Sequence, residues 1–363
     1  MATIQGLELS RRYYAEVVAP WLAREFPGLN HAAALLGYGS ELLGFDDEMS
    51  RDHDFGARLQ LFVSEADFDA CASALVGRFA GIAPVSFLGA PTAGSNRHRA
   101  DAAGDRHGLE VWTPRRAVRH WLAIDADQPL QAVDWLGLAE QRLLAITAGE
   151  VFHDDLGVLT KLRGDLAYLP RDVWLYKLAC QWRRIAEEQA FVGRAGFVGD
   201  DLGSRVIAAR LARDLMRLAF LVERRYAPYP KWFGAAFAQL PCAGDISPLL
   251  GRALTAPDWQ GREEALARAG LTLAKLHLAR GLPGDFRAQI GPYFTRPFTV
   301  INAEDIAAEI RAAIDDPALR ALPLIGSLDQ VTDSTAVIEA PGRGRAAMRA
   351  LLDDVEAGAL EEA

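Results

Sequence analysis

The stretch Gly37-Tyr38-Gly39-Ser40-Glu41-Leu42-Leu43-Gly44-Phe45-Asp46-Asp47-Glu48-Met49-Ser50-Arg51-Asp52-His53-Asp54 decides how the first third of the chain is read. The apolar run from Ala32 to Tyr38 reads as a strand feeding a turn at Gly39-Ser40. After a short acidic loop, Asp52 and Asp54 stand at i and i+2. On an extended chain such side chains point the same way, with Cα atoms about 6.6 Å apart. Two carboxylates held like this repel each other unless a cation lies between them. Mg2+ suits that place, because it is held by one or two carboxylates together with substrate phosphates. A third acid on a neighbouring strand would complete a two-metal site, and Glu110 in Leu109-Glu110-Val111 is the candidate. Gly39 lets the backbone come close to a phosphate, and the Ser40 hydroxyl and amide can hydrogen-bond it. The neighbouring Asp46-Asp47-Glu48 offers rival oxygens and is read as a solvated loop.

Outward from this stretch, helical spacing of Tyr13, Val17, Trp21 and Leu22 predicts a helix from Leu9 to Phe26, stopped by Pro27-Gly28. Leu59 to Val63 is expected as a second strand, followed by Ser64 as N-cap of a helix through Phe79. Pro84 to Leu88 is read as a third strand and Gly89 to Gly108 as a long loop. Leu109 to Trp112 alternates as a strand, and Pro114 opens a helix. From Trp135 the pattern turns helical, with buried faces at Trp174, Leu178, Trp182 and Ile185 and at Ile207, Leu211, Leu215, Leu218 and Val222. A further helix is expected from about Glu263 to Arg280, a strand at Phe298 to Ile301, and a helix capped by Asn302. The fold class is therefore α+β: an N-terminal mixed sheet with flanking helices over 1–128, a helical bundle over 129–290, and an extension with a short strand and helices over 291–363.

With 363 residues, half of them apolar and about a quarter charged, the chain has a globular composition and more length than one core needs. Its net charge of −9 argues against binding nucleic acid through bulk charge. Cys71, Cys180 and Cys242 are scattered without metal-ligand spacing, which suits a reducing cytoplasm. Neither a signal peptide nor a membrane-spanning run is expected.

The Gly39-Ser40 turn, the Asp52-x-Asp54 pair and the strand acid Glu110 resemble the active-site pattern of the DNA polymerase β-like nucleotidyltransferase superfamily. The layout of the whole chain is similar to aminoglycoside nucleotidyltransferases, and closer still to a bacterial nucleotidyltransferase-like family known only as a domain of unknown function. The resemblance implies a nucleoside triphosphate bound with two Mg2+, and attack by a substrate hydroxyl on the α-phosphate. Gly39 and Ser40 would contact the triphosphate, Asp52 and Asp54 would hold the metals, and Glu110 would bind a metal or accept the hydroxyl proton. In aminoglycoside nucleotidyltransferases a lysine of the helical domain reaches the triphosphate, and Lys231 looks similar in position. Lysine occurs only at Lys161, Lys177, Lys231 and Lys275, so the one set between Pro230 and Trp232 stands out, either as that contact or as a surface lysine beside a core tryptophan.

The implied reaction is transfer of AMP from ATP to a small-molecule hydroxyl, with nucleotide and acceptor as the partners and no membrane or nucleic acid. The Asp-His-Asp order and the interrupting Phe55-Gly56-Ala57-Arg58 keep a nucleotide-binding module without transfer as the alternative, beside an enzyme that modifies a protein. Three other features stand out. Arg210, Arg213, Arg217 and Arg224 form a stripe that could clamp phosphates but reads as a paired, solvated face. Tyr226 and Tyr229 could stack on a base, though packing between helices explains them as well. His153-Asp154-Asp155 hints at metal chemistry but is expected as a turn between helices.

Overall fold

The computed structural model describes residues 4–51, 55–92 and 107–353. Asp52, His53 and Asp54 lie outside the described residues, as does most of the Gly89–Gly108 loop. The chain divides into two compact units, one of residues 1–129 with 142–167, the other of 130–141 with 168–363.

The first unit opens with helix Gly6–Tyr13, a π-helical turn over Tyr14–Val18 and helix Ala19–Glu25. The wider π turn falls just before Pro20, whose missing N–H cannot join an ordinary helical ladder. Strands β1 (Ala32–Leu35), β2 (Leu59–Phe62), β5 (Leu109–Trp112) and β6 (Glu150–Asp154) form one sheet in the order β5-β2-β1-β6. Strand β2 runs antiparallel to β1 and parallel to β5, and β6 runs antiparallel to β1. The crossover from β2 to β5 contains helix Glu65–Ala80, whose N-cap Ser64 accepts from Asp67 N at 3.1 Å. Every residue of β1 and β2 is buried, as befits central strands. Leu9, Tyr13, Trp21, Leu61 and Phe79 pack together into this unit's core.

Two expectations are corrected here. The third strand shrinks to β3 (Ser86–Phe87), which pairs with β4 (Ala90–Pro91) in a separate small hairpin. His153 and Asp154 sit in edge strand β6 rather than in a turn between helices. The sequence of β6 is short and polar at its end, and its partner β1 lies more than a hundred residues earlier. Nothing local therefore announces it.

The second unit is helical around Arg171–Glu188, Asp201–Val222 and Trp259–Ala279, with hairpin β7 (Ile290–Tyr293) and β8 (Arg296–Ile301) and helix Ala303–Ala312. The α+β class stands. Thr299 N on β8 donates 2.7 Å to Glu263, and desolvation by burial pushes this carboxyl up to about 7, against the opposing effect of that bond. At the centre of this unit Lys177, 1% exposed, places Nζ 2.6 Å from Glu140 Oε1 and 3.8 Å from Asp329 Oδ2. Glu140 also accepts from Ala227 N at 2.9 Å, and Asp329 from Glu140 N at 2.9 Å. Burial alone would raise the Glu140 carboxyl, but the Lys177 ammonium outweighs it and holds it below the usual range. Burial raises Asp329, with the Glu140 charge adding to the effect and Lys177 opposing it.

Candidate functional site

Strand directions fix the geometry. Because β2 is antiparallel to β1 and β5 is parallel to β2, the end of β1 and the starts of β2 and β5 share one edge of the sheet. The turn that carries Gly39-Ser40, the entry to β2 and Glu110 therefore meet at that edge. Gly39 has φ +133°, a conformation that side-chain-bearing residues rarely adopt, and a Cβ there would stand 2.3 Å from the Glu41 carboxylate. Ser40, 8% exposed, opens a short 3-10 helix over Ser40–Leu43. Just before the turn, Leu36 N donates 2.9 Å to the buried side-chain carbonyl of Gln60, which extends the β1–β2 pairing past the strand end.

Arg58 is the residue that sequence reading did not assign. One Nη2 donates 2.5 Å to the carbonyl of Tyr38 and 2.6 Å to Glu41 Oε1, so the guanidinium holds both sides of the Gly39-Ser40 bend. Burial works against its charge, yet the Glu41 carboxylate, with smaller help from Tyr38 and Glu110, raises its pKa above the ordinary value. The only sequence signal was a basic residue at the mouth of an apolar strand. Glu110, half-buried and in register with Gln60, accepts 2.9 Å from the Trp112 indole through Oε2. A further ligand would thus fall to Oε1. The rival acids are engaged locally: Asp46 accepts from Gly6 N at 2.8 Å at a helix start, and Asp47 accepts from Ser50 N at 2.7 Å.

In the second unit, Lys231 is exposed in the first turn of helix Pro230–Ala238, with Nζ 4.8 Å from the Trp232 ring centre. Tyr226 is buried against Tyr168, ring centres 5.1 Å apart, which is a packing role. The arginine stripe is paired. Arg210 meets Glu188 at 2.7 Å, Arg213 meets Asp333 at 2.9 Å, and Arg224 lies over Trp174 at 4.8 Å. Arg184, Arg210, Arg213 and Arg217 also line a cavity of about 310 Å³ together with Asp214 and Asp333. Gln330, just after Gly326-Ser327, is taken up by the Lys177 carbonyl and the Gln181 side chain, each at 3.0 Å.

Residues 135–233 match a domain of unknown function, DUF4037, which spans parts of both units and leaves out the Gly37–Asp54 stretch. No curated protein matches the sequence. A crystal structure of a nucleotidyltransferase-like protein from Exiguobacterium sibiricum 255-15 is 12% identical, matched over 77% of this chain and 82% of that one, with a TM-score of 0.30. A TM-score of that size does not by itself establish a shared fold. Among the described residues no helix is long and apolar enough to cross a membrane.

Proposed function

We propose that the chain is a nucleotidyltransferase that moves AMP from ATP to a hydroxyl of a small molecule. The observation that carries this reading is the meeting of three features at one sheet edge: the glycine-dependent Gly39-Ser40 bend, the Arg58 brace and the Glu110 carboxylate. Asp54 comes four residues before Arg58 in the sequence, on the segment leading into β2. Together Asp52, Asp54 and Glu110 supply an oxygen-only donor set, which fits Mg2+ and not a softer metal. Bound there, Mg2+ would neutralise phosphate charge.

The chain's own residues do the rest. The backbone at Gly39 and the Ser40 hydroxyl bind phosphate oxygens through the close approach that a glycine at this bend permits. The acceptor hydroxyl oxygen forms a bond to the α-phosphorus, the bond from that phosphorus to the bridging oxygen breaks, and pyrophosphate leaves. The hydroxyl proton passes to a carboxylate, for which Glu110 is the candidate.

The test is pyrophosphate release from ATP and Mg2+ across a panel of hydroxyl acceptors, paired with calorimetric ATP binding. Asp52→Asn and Asp54→Asn are each expected to abolish release while far-UV circular dichroism stays unchanged. Wild-type turnover in either variant overturns the reading. Tight Mg2+-dependent ATP binding without release for any acceptor identifies the non-transferring module instead.

A further inference from the structure

The opposite edge of the same sheet carries a second group of ligand-type side chains. His31 immediately precedes β1, and Asp155 immediately follows β6 and pairs with it, Asp155 N donating 3.1 Å to the His31 carbonyl. His153 lies on β6 two residues before Asp155, a spacing that turns both side chains to one face while the chain stays extended. One donor atom from each of His31, His153 and Asp155 falls within 4.8 Å of the other two. A tetrahedral zinc ion with bonds of about 2.0–2.1 Å needs its ligand atoms about 3.4 Å apart, which a small rotation of these side chains reaches.

Three details of the cluster favour a metal over a plain hydrogen-bonded group. His31 Nδ1 lies 3.1 Å from the Leu29 carbonyl, which fixes the ring with its proton on Nδ1 and leaves the Nε2 lone pair facing the cluster. His153 Nε2 comes within 2.7 Å of Asp155 Oδ2, yet that buried nitrogen makes no aligned hydrogen bond with any described residue. The two imidazole rings are 4.5 Å apart, so both can turn a nitrogen toward one common point. The Tyr14 hydroxyl, 2.9 Å from His31 Nε2, holds that lone pair at present.

We propose that His31, His153 and Asp155 form a binding site for a divalent transition metal of the zinc class, with the fourth position open to water. Two imidazoles and one carboxylate are a donor set for zinc or its neighbours, and not for Mg2+. The site is separate from the Gly39-Ser40 edge, and its metal ties edge strand β6 to β1.

The experiment titrates Co2+ and Zn2+ into the full-length chain carrying Asp52→Asn and Asp54→Asn, so that the other edge does not compete. The expected result is one equivalent of Zn2+ retained after dialysis, the visible absorption of four-coordinate Co2+, and a rise in Tm with Zn2+. His153→Gln and Asp155→Asn, the latter at an exposed side chain, should each weaken binding at least tenfold while leaving the metal-free Tm within a few degrees. Absence of a retained equivalent, or retention that neither substitution reduces, overturns the proposal.

Discussion

The Arg58 guanidinium lies 2.6 Å from Glu41 Oε1, with the two side chains 12% and 7% exposed. Neither charge is well solvated, so each depends on the other. Removing the cation alone strands a buried carboxylate beside the Gly39-Ser40 bend. Arg58→Ala is expected to lower unfolding free energy by about 3–5 kcal/mol in urea titrations. The double variant Arg58→Met with Glu41→Gln should recover most of that loss, because no uncompensated charge remains. Equal losses in the single and double variants would show that the pair is not coupled.

Gly39→Ala separates binding from stability. Its φ of +133° lies where alanine is strained, and the new methyl would stand 2.3 Å from the Glu41 carboxylate that Arg58 holds in place. A loss of about 1–3 kcal/mol is expected from the strain. Calorimetry should show a much larger proportional loss of ATP affinity, since the bend itself must re-form. Unchanged affinity would remove the turn from the site.

Lys177 neutralises two carboxylates in the heart of the second unit. Lys177→Met fits the space but leaves Glu140 and Asp329 facing each other 8% and 7% exposed. A cost of about 3–5 kcal/mol is expected near neutral pH. The deficit should shrink on acidification, as the raised carboxyl of Asp329 takes up a proton. Chemical denaturation at pH 5 and pH 8 measures both.

Glu263 sets a pH dependence of the opposite kind from a salt-bridged acid. Its carboxyl titrates near 4.5 when unfolded and about 7 when folded, so the native state holds the extra proton between those values. Stability contributed by the protonated carboxyl is complete below about pH 4.5, falls as pH rises toward 7, and is absent above. The full swing is about 3 kcal/mol. Glu263→Gln keeps an acceptor for Thr299 N, and its stability relative to wild type should therefore rise across that window. A constant difference between the two proteins from pH 5 to pH 8 would contradict the assignment.

Much of this architecture was written locally. Ser64 and Pro114 announced their helices, because an N-cap acceptor and a proline lacking an N–H each suit one end of a helix. Strands β1, β2 and β5 stood out as short apolar runs beside turn residues. What escaped was non-local. Arg58 and Glu41 are 17 residues apart, and nothing in their spacing pairs them. The arginine stripe reads as a paired, solvated face, and Asp214 and Glu223 are the acids within reach along its own stretch of chain. Those acids instead take Arg184 at 3.0 Å and Arg280 at 2.6 Å, while the stripe finds Glu188 and Asp333 on other segments. Tertiary neighbours outcompete helical spacing because a partly buried partner gains more than a solvated one. For the carboxylates, Glu110 is described on its expected strand, whereas Asp52 and Asp54 lie outside the described residues.

Strand β6 joins the sheet only after the chain has laid down Leu130–Gln141, which belong to the other unit. During translation, β1 therefore waits with one flank bare while that detour is synthesised. A bare flank recruits whatever strand comes near, including one from a sister polypeptide. Fragments cut after Pro129 are accordingly expected to clump, whereas those carried through Ala167 close their own border and remain dispersed.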